Sequence, residues 1–181
     1  MATTSKIGDV ERVLRFAECI ENDGDWDDLA LPVSEIGRLQ EITKGCSARL
    51  TALFHGPNGC GKIIAASLVA KHLNRPLYRI DLGRVVSKYI GESENNLNLV
   101  FEAAERLDWV LFFDEADALF AKRSDVHDSH DRFANLVVDY LLERIESHGG
   151  PVILTSNTKN NIDAAFIRRL NYTIEFPNQE C

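Results

Sequence analysis

The stretch FHGPNGCGKIIAAS, residues 54–67, decides how the rest of the chain is read. Gly56, Gly61 and Lys62 meet the spacing G-x-x-x-x-G-K of a phosphate-binding loop. In such a loop the backbone N–H groups of Gly56, Pro57, Asn58, Gly59, Cys60 and Gly61 (Pro57 lending shape rather than a donor) surround a phosphate, and Lys62 reaches its outer oxygens. The next position ordinarily carries a hydroxyl that ligates magnesium, and here it is Ile63. A glycine-rich turn that binds nothing is the alternative for these letters alone.

Outward from the loop, the chain alternates between strand-like and helix-like patterns. Leu50 to His55 reads as a short strand running into the loop, and Lys62 to Leu73 as the helix that leaves it. Further strands are expected at 76–82, 109–113, 152–155 and 172–176, with helices at 94–106, 133–147 and 163–169 between them. Trp109 to Phe113 is apolar throughout, as in a strand buried on both faces. The pattern predicts an α/β fold of the P-loop NTPase type, a five-stranded parallel sheet with helices on both faces and ligands at the carboxyl ends of its strands. Upstream, Val10, Val13, Leu14, Ala17 and Ile20 fall on one helical face, so residues 9–21 read as a helix. A second helix is expected from Val33 to Lys44, after Pro32. The expected organisation is an N-terminal helical segment, 1–25, and a nucleotide-binding α/β domain, 26–181.

Composition narrows the classes. A chain of 181 residues, 45% hydrophobic and 27% charged, is one ordinary globular domain. Its net charge of -8 argues against a nucleic-acid binder, which needs a basic face. It leaves room for a nucleotide, whose phosphates backbone amides and one lysine can hold. The four cysteines, Cys19, Cys46, Cys60 and Cys181, show no paired spacing, which fits free thiols and a cytoplasmic location. No apolar run approaches the roughly 18 residues of a membrane span.

The third apolar strand ends directly in Asp114 and Glu115. Two carboxylates at a buried strand end are costly unless something uses the charge. In phosphoryl transfer the first acid, Asp114, holds magnesium and the second, Glu115, polarises the attacking water. Helix-starting acids favoured by the macrodipole are the plainer reading. After the fourth strand comes Thr155-Ser156-Asn157, whose Asn157 has an amide able to orient that water; an ordinary turn asparagine is the competing account. Arg168 and Arg169 read on their own as a solvated basic pair. His127 and His130 have metal-ligand spacing, but a solvated loop leading into a helix, with Ser129 or Asp131 as cap, accounts for them.

Taken in order, these stretches resemble the AAA+ ATPases, in particular the katanin- and spastin-like branch, from about Trp26 to Pro177. Gly56 to Lys62 matches Walker A, Leu111 to Glu115 matches Walker B within DEADALF, and Asn157 falls at sensor 1. Residues 161–168, NIDAAFIR, resemble the arginine-finger segment, which makes Arg168 the finger toward a neighbouring subunit's nucleotide. Residues 87–94, SKYIGESE, resemble pore loop 1, in which Tyr89 and Ile90 would grip a threaded polypeptide. The resemblance implies ATP and Mg2+ as cofactors, a ring homo-oligomer and a protein substrate. Glu115, Lys62, Asn157 and Arg168 become the catalytic set, and Asp114 the metal ligand.

The sequence departs from that pattern at Ile63, at Ala164 where the finger segment carries proline, and at Asn171 where a second arginine is usual. The helical lid expected after the fifth strand does not appear before Cys181, so the domain is expected without its lid subdomain. Two functions compete: an ATP-hydrolysing remodelling module, and a nucleotide-binding or scaffolding subunit with little hydrolysis. An RNA helicase, suggested by Asp114-Glu115-Ala116-Asp117, is disfavoured by Thr155-Ser156-Asn157 and by the acidic charge.

Overall fold

Three strands with no exposed residue form the middle of the sheet: β2 (Leu50–His55), β4 (Val110–Phe113) and β5 (Pro151–Ser156). The computed structural model describes residues 10–21, 23–45, 49–86, 91–117, 129–157 and 164–177. The remaining strands are β1 (Ala17–Ile20), β3 (Leu77–Ile80) and β6 (Tyr172–Glu175). The helices are α1 (Val33–Gly45), α2 (Lys62–His72), the single turn α3 (Leu82–Val85), α4 (Glu92–Leu107), α5 (Ser129–Ser147) and the short α6 (Ala164–Ile167).

Alternation along the strands divides the interior into two apolar layers. Ala52, Phe54, Val110, Phe112 and Ile153 face Leu39 and Ile42 of α1 and Ala65, Leu68 and Val69 of α2. Leu53, Leu111, Phe113, Val152 and Leu154 face Leu97, Val100 and Phe101 of α4 and Val137, Leu141 and Ile145 of α5. Both faces of the central strands are therefore covered, which is why their sequences carry no polar alternation.

The sheet order is β1-β3-β4-β5-β2-β6. The five strands from β3 to β6 in that order pair in parallel, as the sequence predicts. The sixth is a correction. Residues 9–21 are not one helix; only a single turn at 10–13 is helical, and Ala17–Ile20 is a strand antiparallel to β3, with Ala17 opposite Ile80 and Ile20 opposite Leu77. Spacing favoured a helix, but the open edge of β3 offers unpaired backbone groups that an isolated helix end cannot satisfy. Arg79 meets Glu18 across this pair at 2.7 Å, and Phe16 O accepts from Asp81 N at 2.8 Å. At the opposite edge, Arg38 of α1 donates to Thr173 O at 2.8 Å and occupies part of the outer rim of β6.

The connector before α1 is pinned to α2. Asp25 caps a 3-10 turn at Trp26–Asp28, and the buried Trp26 donates through Nε1 to His72 Nε2 at 3.0 Å. Lys71 adds a bond to Gly24 O at 2.9 Å. Asn171, where an arginine was looked for, forms a two-point bridge to β2: its N donates to Thr51 O and its Oδ1 accepts from Thr51 N, both at 2.9 Å. Its side chain thereby starts the β2–β6 ladder.

Two positions yield tests of the fold. A Cβ on Gly56 would lie 2.1 Å from Phe176 O and 2.7 Å from Phe176 Cβ, with backbone on both sides of the clash. Gly56→Ala should lower stability by about 1–3 kcal/mol, the usual range for overpacking, measurable by urea denaturation. At the other end of the sheet, His148 is buried between Phe101 and Glu105. Its Nδ1 faces Glu105 Oε1 at 3.2 Å, and its Nε2 has no partner among the described residues. Burial pushes its pKa below the ordinary value, outweighing the opposing pull of Glu105. The unfolded chain then takes up the proton first, so this contribution is intact above about pH 6.5 and is lost as pH falls toward the lower folded value. Thermal melts between pH 7.5 and 5.5 should show a steeper loss for the wild type than for His148→Gln.

Candidate functional site

The carboxyl ends of β2, β4 and β5 converge, and each carries one part of the site. β2 opens into the loop 56–61, β4 into Asp114 and Glu115, and β5 into Asn157. Gly56 N donates to Ser156 O at 3.1 Å, and Phe176 N donates to His55 O at 2.7 Å, so the loop starts between the ends of β5 and β6. This is the switch in strand order at which α/β sheets leave a crevice.

Gly59 and Gly61 hold φ of 79° and 87°, values that glycine adopts without a Cβ penalty. Asn58 and Gly59 are exposed at the tip, Pro57 is half-buried, and Cys60 is buried with its thiol donating to Pro57 O at 2.8 Å. No backbone hydrogen bond is donated from residues 58–64 to any described residue. Gly61 gives α2 no side-chain cap, so the amides of loop and first turn form an uncommitted donor set at the positive end of an 11-residue helix.

Lys62 completes the concavity. It is only 8% exposed, yet its ammonium has no carboxylate partner among the described residues. It donates instead to Gly56 O, to Pro57 O at 2.8 Å and to Asn157 Oδ1 at 3.4 Å, with Cys60 Sγ at 3.8 Å. A buried cation surrounded by neutral groups lacks the compensation that burial demands. Amide donors without an acceptor and an ammonium without a carboxylate, among the described residues, suit a polyanion such as a nucleotide phosphate chain.

The acids are held from β5. Thr155 Oγ1 donates to Asp114 Oδ1 at 2.7 Å and accepts from Glu115 N at 3.0 Å, while Thr155 O accepts from Ala116 N at 2.8 Å. Glu115 is exposed and takes the left-handed backbone conformation, φ 51°, unusual outside glycine. Asp114 and Glu115 also border a cleft of about 510 Å³ that includes Arg15, Arg79, Asp81 and Arg84. Carboxylates, loop amides and a lysine are the donor and acceptor types that a magnesium-bound nucleotide needs. Ile63 brings no oxygen; it is half-buried against the layer that contains Ala65 and Phe54.

Asp117 escaped the sequence reading as a site residue. One of its carboxylate oxygens accepts from Ser156 Oγ and the other from Asn157 N at 2.7 Å, fixing the backbone that carries Asn157. Its only sequence signal was its place in Asp114-Glu115-Ala116-Asp117, and a bond across 40 positions leaves no local pattern.

The structure thus brings together the loop, Lys62, Asp114, Glu115 and Asn157. Arg168 stands apart, exposed after α6, with no hydrogen bond to that group among the described residues. Its neighbour Arg169 pairs with Glu146. Tyr89 and Ile90 lie outside the described residues, as does His127. Among the described residues there is no cluster of three metal-type ligands from histidine, cysteine, aspartate and glutamate.

Comparison with known proteins agrees with this geometry. Residues 52–178 match the family described as "ATPase family associated with various cellular activities (AAA)". An uncharacterized AAA family ATPase of Sinorhizobium fredii is 35% identical over 183 residues, covering 94% of this chain and 55% of that protein. The proteasome-activating nucleotidase of Thermococcus kodakarensis is 31% identical, over 97% of this chain and 43% of its own length. The chain spans about half the length of these curated relatives. The crystal structure of the FIGL-1 AAA domain superposes with a TM-score of 0.73 over 96% of this chain and 61% of that one, and its 19% identity speaks to the fold alone. On the family match and these alignments, the chain belongs to the AAA family of ATPases.

Proposed function

We propose that this chain binds ATP with Mg2+ between the glycine loop and the acids of β4, and that its hydrolysis drives remodelling of a protein substrate in a ring of identical subunits. The observation that carries the nucleotide reading is the buried Lys62 ammonium, which has no carboxylate partner among the described residues, beside the amides of 58–64, which have no acceptor among them. Asp114 would take the metal, whose chemistry is to neutralise charge on the phosphate oxygens. Glu115, exposed and held at its backbone, would orient and deprotonate the attacking water. Asn157, in reach of Lys62 and clamped by Asp117, would position the same water or the terminal phosphate.

The ring and the protein substrate rest on other support. Arg168, exposed and with no partner among the described residues, is suited to act on a neighbouring subunit's nucleotide. Proteasome-activating nucleotidase is the kind of relative from which action on proteins is inferred. Tyr89 and Ile90 are proposed as the substrate-gripping pair on the sequence resemblance alone. A reducing cytoplasmic setting suits the free thiols Cys19 and Cys60, and no helix among the described residues is long and apolar enough to cross a membrane.

A second reading, nucleotide binding with weak hydrolysis, is favoured by one specific observation: the metal side of the loop presents the apolar Ile63, itself part of the packing. Restoring a hydroxyl by Ile63→Thr should tighten Mg2+-ATP binding by about 5- to 150-fold, the worth of a polar contact of roughly 1–3 kcal/mol. Steady-state phosphate release decides between the two readings. Robust wild-type turnover that falls by at least about a hundredfold in Glu115→Gln, with ATP binding retained, supports the hydrolytic motor. Wild-type turnover at background that rises in Ile63→Thr supports the binding subunit.

Assembly has its own readout. Sedimentation velocity with Mg2+ and a non-hydrolysable ATP analogue should show a nucleotide-dependent oligomer. Adding Arg168→Ala chains to the wild type should then lower turnover per wild-type subunit. A monomer under all conditions would remove the ring.

A further inference from the structure

The residue before the Ser156-Asn157 pair has a role that the nucleotide reading leaves unassigned. Thr155 is the penultimate residue of β5, in the middle of the sheet between β4 and β2, and is 1% exposed. From there it contacts three consecutive residues of the acid turn. Its hydroxyl donates to Asp114 Oδ1 at 2.7 Å and accepts from Glu115 N at 3.0 Å, and its carbonyl accepts from Ala116 N at 2.8 Å.

Each hydroxyl contact fixes something the metal chemistry needs. The bond to Asp114 occupies Oδ1, and Oδ2 has no hydrogen-bond partner among the described residues. One carboxylate oxygen is anchored and the other is left available. The bond from Glu115 N supports a backbone at φ 51°, a strained conformation for a residue with a side chain. Without the hydroxyl, that N–H keeps only Asp114 Oδ1, at 3.1 Å. A β-branched side chain buried at a strand end has a stiff χ1, so the hydroxyl is preorganised rather than recruited.

The demand on Asp114 is raised by Ile63, which contributes no oxygen on the loop side. With one fewer protein ligand, the orientation of the remaining acid weighs more in the metal's free energy of binding. We propose that Thr155 is a positioning residue for the divalent cation: its single hydroxyl aligns both acids, and the metal affinity of the loaded site depends on it. It acts through the acids and is not itself a ligand, because its proton and one lone pair are engaged and it is shut off from solvent. The proposal rests on the reading of this crevice as a metal–nucleotide site.

The test uses Thr155→Val, which removes the hydroxyl at nearly constant volume, and Thr155→Ser, which keeps it. ADP binding in EDTA is measured first, then Mn2+ affinity of the ADP complex by electron paramagnetic resonance, then kcat and KM with Mg2+-ATP. The expected result is metal-free ADP affinity within twofold of wild type for both variants. Mn2+ affinity should fall on the order of tenfold in Thr155→Val, the worth of one bond to a charged group, and return in Thr155→Ser. Any loss of turnover should appear in kcat at saturating Mg2+-ATP. Wild-type-like Mn2+ binding by Thr155→Val overturns the proposal and leaves the nucleotide reading standing. Loss of metal-free ADP binding that Thr155→Ser does not restore makes Thr155 a packing residue and also overturns it. A wild type that binds no ADP with or without metal overturns both.

Discussion

The parallel pairing of β2 with β5, six register pairs from Leu50–Pro151 to His55–Ser156, is the constraint on which the rest of the molecule depends. It aligns the ends of two strands that lie about a hundred residues apart in the chain. Because His55 sits opposite Ser156, the glycine loop leaves β2 at the level where Asn157 leaves β5. The next parallel pair, β5 with β4, sets Phe113 opposite Leu154 and so brings Asp114 beside Thr155, just before Asn157. Slipping either register by one residue would turn Phe54 or Phe113 to the wrong face and separate the acids from the lysine.

Around that frame the interior is conventional and the crevice is not. Both apolar layers are filled by residues at period-two spacing, each touching helices of one face. Within the crevice, by contrast, local rules are broken repeatedly: a buried ammonium with no counter-charge and amides with no acceptor among the described residues, and an acid in a glycine-like backbone conformation. Such violations concentrate where a ligand is needed to complete the structure. The same pattern sets Ile63 in relief, because it obeys the rule of the core at a position where the site wants a polar group.

What was legible in the sequence was what is written contiguously. The loop, the strand before it and the helix after it share 54–67, and an unbroken apolar run before Asp114 announces a doubly covered strand. Contacts between distant segments left no such trace. Asn171 looked like a missing arginine, and only the β2–β6 pairing shows it bonded twice to Thr51. Asp117 looked like part of a tetrapeptide, and only the β4–β5 alignment places it on Ser156 and Asn157. Ala17–Ile20 was misread because its apolar spacing suits a helix equally well. What decided the matter was the vacant edge of β3, which no local pattern records.

That edge strand has a thermodynamic consequence. Arg15, Phe16, Ala17 and Glu18 wall the same cleft that Asp114 and Glu115 border, so the docked N-terminal segment and the acids share one volume. A four-residue strand held by a single neighbour is among the weakest-paired elements of a sheet. Linkage is reciprocal: whatever free energy the docked strand lends to a species occupying the cleft, that species returns to the docking of the strand. A species that filled the cleft against both walls would therefore couple the docking of this strand to the acids of β4, although nearly a hundred positions of sequence lie between them.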